Sequence, residues 1–138
     1  MWRAELIEIK DLYAGYNGSD VLKKISIKIA AGEMIGILGP NGSGKTTLVN
    51  VITGIMEADR GAVLINGRPI KQLDVKAISR QIAVAPQRTD ISFPFTCFSI
   101  TLMGRSPYVS RWGFYSPEDR RIALEAMAQT NTLKLSHR

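Results

Sequence analysis

Met34-Ile35-Gly36-Ile37-Leu38-Gly39-Pro40-Asn41-Gly42-Ser43-Gly44-Lys45-Thr46-Thr47-Leu48-Val49-Asn50-Val51-Ile52-Thr53 is the stretch from which the rest of this chain is read. Gly39 and Gly44 are separated by four residues and followed by Lys45 and Thr46. An apolar run, 34–38, precedes them, and a helix-like stretch, 47–53, follows. Strand, glycine loop, helix is the context that a phosphate-binding P-loop requires. Successive backbone N–H groups must turn inward around a polyphosphate, and residues without a Cβ let the chain turn and approach closely. In that arrangement Lys45 reaches the β and γ phosphates and Thr46 offers its hydroxyl to Mg²⁺. The positive end of the helix dipole points at the anion. At ordinary residue usage the bare pattern arises by chance on the order of one time in two hundred chains of this length, so a glycine-rich turn without a ligand is the weaker explanation.

Outward from this stretch, 138 residues that are 45% hydrophobic suffice for one domain with a core, and the charge content is too low for a disordered chain. No apolar run is long enough to span a bilayer, and Met1-Trp2-Arg3-Ala4-Glu5 lacks a signal-peptide layout, so a cytoplasmic location is expected. The one cysteine, Cys97, has no internal partner, and among Phe95, Phe98 and Ile100 it reads as a buried thiol. The net charge of +6 resides entirely in residues 61–138, which hold eleven Lys/Arg against five Asp/Glu. Apart from Arg120-Arg121 these cations are scattered and not interleaved with aromatics, which argues against a nucleic-acid partner.

Residues 6–11 read as a strand. Residues 22–29 alternate Ile25, Ile27 and Ile29 against Ser26 and Lys28, the pattern of a strand with one face buried. A Gly/Asn/Asp-rich turn over 14–20 makes the two antiparallel. The run 34–38 reads as a strand covered on both faces in an α/β sheet. Gly54 occupies a helix C-terminus, and 62–65 is a strand followed by the hairpin signal Asn66-Gly67. Asp74 caps a short helix to about Arg80, and 82–85 reads as a further buried strand closed by Pro86. A polar loop then runs to Pro94, a helix covers about Thr96 to Met103, and an aromatic loop covers 108–115. Ser116-Pro117-Glu118-Asp119 opens a helix to about Gln129.

With Tyr16 in Ala14-Gly15-Tyr16, the P-loop, Asn66-Gly67 and Gln87 in this order, essentially the whole chain resembles the ATP-binding subunit of ATP-binding cassette (ABC) transporters. The resemblance implies an α/β fold of the P-loop NTPase, ABC ATPase type. An antiparallel β subdomain comes first and a helical subdomain begins near residue 91, which divides one domain into a core, 1–90, and 91–138. It further implies ATP and Mg²⁺ as ligands. Gly39, Pro40, Asn41, Gly42, Ser43, Gly44, Lys45, Thr46 and Thr47 would hold the phosphates, and Tyr16, with Tyr13 as the fallback, would stack on adenine. Thr46 and Gln87 would attend the metal. Lys45 and Gln87 would act in catalysis, Gln87 by positioning water, since an amide is no base. Leu102 to Tyr108, Trp112 and Ser116 to Arg121 resemble importers of iron-siderophore, haem and cobalamin. Their helical subdomain meets transmembrane permease subunits, at the inner face of the cell membrane, and their ATPases pair as a sandwiched dimer.

Three elements of the family pattern do not occur in this sequence. None of Asp11, Asp20, Asp59, Asp74, Asp90 and Asp119 follows four apolar residues or precedes Glu; no Leu-Ser-Gly-Gly stretch occurs; and His137 stands next to last, too early for a switch histidine. The chain therefore reads as the N-terminal part of such an ATPase, ending before the signature motif. Recognition of ATP·Mg²⁺ with negligible hydrolysis by the chain alone is expected, as are an open sheet edge and exposed apolar surface beside the P-loop strand. The competing readings are a nucleotide-binding module without turnover, another class of ABC importer and a different P-loop enzyme. A GTPase would offer Asn-Lys-x-Asp, which is absent, and a small kinase usually starts with the P-loop strand.

Overall fold

The computed structural model describes residues 5–87, 93–110 and 113–138. Two compact units emerge, one extending to Ile82 and the other starting at Ala83. Trp112, one of the residues carrying the importer resemblance, lies outside the described residues.

The first unit is a four-stranded antiparallel sheet with one helix against it. Strands β1 (Glu5–Tyr16), β2 (Ser19–Ala30), β3 (Arg60–Ile65) and β4 (Arg68–Pro69) are ordered β2-β1-β3-β4. The β1–β2 hairpin turns on Asn17 and Gly18 and the β3–β4 hairpin on Asn66 and Gly67, all four with positive φ. This is the left-handed pair that a two-residue turn between twisted strands requires. Both strands of the first hairpin are longer than the periodicity suggested, because pairing carries them up to the turn itself. In β2 the alternation holds: Ile25, Ile27 and Ile29 are half-buried while Ser26 and Lys28 face out.

In β1 the strict period of two fails. Ile9, Leu12 and Ala14 are all buried, although the first two lie three positions apart, an odd step. Asp11, at φ 42°, supplies the extra residue: Ile9 pairs with Ile27 and Leu12 with Ile25, so three steps on β1 match two on β2. The bulge returns Leu12 to the inner face and tightens the local twist. It is accommodated on the β3 side by Gly61, at φ 86°, where a Cβ would lie 2.4 Å from the carbonyl oxygens of both Lys10 and Asp11. Helix α1 (Lys45–Ile52) packs Leu48 and Val51 onto this face with Leu22 and Val63.

Two expected strands do not form. Residues 34–38 are irregular, with Met34 99% and Leu38 95% exposed, and 82–85 are irregular and largely exposed, Val84 included. A strand exists only through hydrogen bonds to a neighbour, and no described segment pairs with either run. Asp74 does cap helix α2 (Val75–Ser79), accepting from Ala77 N at 2.6 Å.

In the second unit, α3 (Cys97–Met103) packs against α4 (Pro117–Gln129), burying Leu102, Ala123 and Met127. Thr96 caps α3 by accepting from Ser99 N. Ser116 and Asp119 form a reciprocal capping box on α4, and Arg105 Nε donates to Asp119 Oδ1 at 3.0 Å, tying the end of one helix to the start of the next. Cys97 is half-buried rather than buried, because its position at the first turn of α3 faces only part of this small core.

Gly61→Ala should destabilise the chain by about 2 kcal/mol or more, since strain and a backbone clash act together. Gly67→Ala, with open space around its Cβ, should cost about 1 kcal/mol. Equal shifts in thermal midpoint would show that the bulge does not need a glycine. The Ser116 hydroxyl and backbone N–H, and then the Arg105 guanidinium, hold the Asp119 carboxyl below its usual range. A depressed carboxylate stabilises above its unfolded pKa of about 4 and loses that contribution as pH falls through the folded value. The helical signal should therefore weaken below about pH 4, and Asp119→Asn should melt lower at neutral pH with a flatter acid limb. Parallel acid limbs for the two proteins would overturn this assignment.

Candidate functional site

The glycine loop closes at the start of α1. Gly44, at φ 89°, is the N-cap, and no side chain accepts a hydrogen bond there and no acidic residue stands in the first turn. The first four N–H groups of a helix have no intrahelical acceptor, so this end keeps its partial positive charge uncompensated by the chain. Lys45 adds a full charge at the same place. Its Nζ donates to the carbonyl oxygens of Gly39 and Pro40, each at 2.7 Å. Ser43 N donates to Pro40 O at 3.3 Å, which completes a turn over the lysine.

Gly39, Pro40, Asn41, Gly42 and Ser43 are exposed, and Gly44 and Lys45 half-buried. The adjacent threonines differ. Thr46 is exposed and free to present its hydroxyl outward, whereas Thr47 is buried at 6%, leaving its backbone N–H as what it offers an anion. Among the described residues no group of His, Cys, Asp and Glu forms a metal cage.

The hairpin adjoins this loop through β2. A Cβ on Gly44 would lie 2.9 Å from Leu22 Cδ2 and 3.1 Å from Val21 Cγ1, so these side chains limit how far the loop can move. Tyr16 ends β1 opposite Ser19 and is 53% exposed. Tyr13 is half-buried, and the Arg60 guanidinium sits 4.0 Å from its ring centroid. Of the two tyrosines, Tyr16 has the accessible ring. Gln87, in the second unit, is exposed in a bend after Pro86 and not at the end of a strand. Arg60 and Asp20, paired at 2.9 Å, carried no signal in the sequence, since an isolated charge at a strand end has no periodic or motif signature.

Gly44→Ala should lower the thermal midpoint more than Gly42→Ala, whose Cβ meets nothing within 4 Å. Both pay a backbone cost of about 1 kcal/mol, and only the first adds the clash with Leu22 and Val21. Equal losses would mean that the hairpin yields freely.

A sequence profile described as ABC transporter matches residues 22–138. The chain is 33% identical over 132 residues to the Cobalamin import ATP-binding protein BtuD of Halobacterium salinarum, covering 96% of this chain and 33% of that protein. It is 35% identical over 113 residues to the Hemin import ATP-binding protein HmuV of Streptomyces coelicolor, covering 82% and 40%. A solved ATP binding subunit of an ABC transporter superposes with a TM-score of 0.77 at 29% identity, over 96% of this chain and 53% of that one. The chain thus spans about a third to two fifths of the length of these two curated relatives.

Proposed function

This chain belongs to the ABC transporter family, and we propose that it carries the ATP·Mg²⁺-binding part of the energy-coupling subunit of an importer. The observation that carries this reading is the uncompensated N-terminus of α1 with Lys45 beside it: two coincident positive features with no acidic residue in the first turn. A polyphosphate supplies the missing negative charge. Residues 39–47 would cradle it through backbone N–H groups, with Lys45 on the outer phosphates. Tyr16 would stack on adenine. Thr46, with Gln87, would attend Mg²⁺, which when bound offsets phosphate charge.

Gln87 would also position water and link the nucleotide to the permease. The solute would be an iron-siderophore, haem or cobalamin, in keeping with what the cobalamin and hemin relatives are named for. Exposed Phe93, Phe95, Met103, Tyr108 and Phe114 on the second unit support transmembrane permease subunits as partners at the inner membrane face. No helix among the described residues is long and apolar enough to cross a membrane, so attachment would be peripheral. A second ATP-binding subunit would close the sandwich. Because the sequence places no Asp-Glu pair after an apolar strand, this chain alone would bind without appreciable turnover.

Titration with a fluorescent ATP analogue and Mg²⁺ tests the reading. Lys45→Ala should weaken binding by about tenfold or more, the value of a charge-assisted contact, and Tyr16→Ala by about fivefold or more, that of a lost stack. Affinity unchanged by Lys45→Ala would overturn it. Steady-state phosphate release that Lys45→Ala abolishes would overturn the absence of turnover.

A further inference from the structure

We propose that Arg60 is a positioning residue for nucleobase recognition: it braces the hairpin end that carries Tyr16, acting through Tyr13 and Asp20. The inference rests on the proposed stacking role of Tyr16 and adds to it the group that holds the platform in place.

The sheet order is β2-β1-β3, and the pairing of β3 with β1 ends at Arg60 opposite Tyr13. The hairpin continues beyond that point through Gly15 opposite Asp20 and Tyr16 opposite Ser19. Its last residues are therefore a two-stranded ribbon, and an unsupported ribbon of two strands is marginal. Arg60 reaches across this step. Its guanidinium lies 4.0 Å from the Tyr13 ring centroid, and its Nη2 meets Asp20 Oδ2 at 2.9 Å. One side chain thus joins β3 to both strands of the ribbon, crossing the middle strand on an aromatic face.

A planar cation that stacks and donates in a fixed direction suits this bridge, whereas an ammonium would keep the charge and lose the stacking. The pair is exposed, with 63% of the Arg60 side chain and 30% of the Asp20 side chain accessible. Exposed pairs add little stability, so the consequence of the bridge falls on the placement of the ribbon. The ribbon's other neighbour is the phosphate loop, because Val21 and Leu22, next to Asp20, bound Gly44. Holding Asp20 therefore sets the spacing between the Tyr16 ring and the loop that would hold the phosphates. With that spacing fixed in advance, a bound base loses less freedom.

Calorimetric titration of the chain with Mg·ATP and with Mg·tripolyphosphate separates base from phosphate recognition. The proteins compared are the unsubstituted chain, Tyr16→Ala, Arg60→Ala, Arg60→Lys and the Tyr16→Ala/Arg60→Ala pair. Arg60→Ala should weaken ATP binding by about fivefold and leave tripolyphosphate within about twofold. Arg60→Lys should be intermediate, and Arg60→Ala should add nothing to Tyr16→Ala. An equal loss for both ligands would make Arg60 merely structural and overturn the proposal. If Tyr16→Ala lowers ATP affinity and Arg60→Ala does not, the brace fails while the stacking role stands. If Tyr16→Ala changes neither ligand, or the unsubstituted chain binds neither, the underlying reading fails and the brace with it.

Discussion

A strand alternates its faces, yet β1 must bury Ile9, Leu12 and Ala14 together, and the first unit depends on how that conflict is resolved. The extra residue at Asp11 turns Leu12 back toward the core, and Gly61 leaves room for the displaced carbonyl groups on the neighbouring strand. Without the bulge, the part of β1 beyond it would face the wrong side of the sheet, and the core under Leu48 and Val51 of α1 would lose Leu12 and Ala14. The same registration carries Val21 and Leu22 to Gly44. A local irregularity in one strand thereby determines where the phosphate loop and the hairpin end stand relative to each other.

The loop itself is held by Lys45, whose ammonium donates to two of its carbonyl oxygens, and it stands at a helix end that no carboxylate neutralises. A helix N-terminus commonly carries a Ser, Thr, Asp or Asn cap, and α2, α3 and α4 each have one in Asp74, Thr96 and Ser116. Helix α1 instead has Gly44, and Lys45 satisfies its own ammonium on the carbonyl oxygens of Gly39 and Pro40. The contrast within one chain is informative. The ends of α2, α3 and α4 are each neutralised by a side chain, whereas the end of α1 has no side-chain cap and no acidic residue in its first turn, the arrangement that suits an anion.

The helical unit is organised by short-range polar contacts around a small core. Asp119 accepts from the backbone and side chain of Ser116 and from Arg105. It caps its own helix and at the same time anchors the preceding one. The apolar side chains not used in that core, Phe93, Phe95 and Phe114 among them, remain exposed.

Features whose physics is contained within a few residues were determined by the sequence alone. The left-handed Asn66-Gly67 turn, Gly54 after α1, the Asp74 cap, the Ser116 capping box with Pro117 and the glycine loop before Lys45 each follow from allowed φ values or from hydrogen bonds spanning three or four positions. The alternating isoleucines of β2 were legible for the same reason, because a buried face imprints its period. Only the tertiary structure decided the matters that need a partner distant in the chain. Runs 34–38 and 82–85 have apolar composition suited to strands but no described neighbour to bond, and composition cannot supply one. The bulge at Asp11 is invisible until β3 brings Gly61 beside it. Tyr13 and Tyr16 are both tyrosines near the hairpin turn, and the guanidinium of Arg60, far along the chain, covers the ring of Tyr13 while that of Tyr16 stays exposed, since a ring's accessibility is a property of what packs on it.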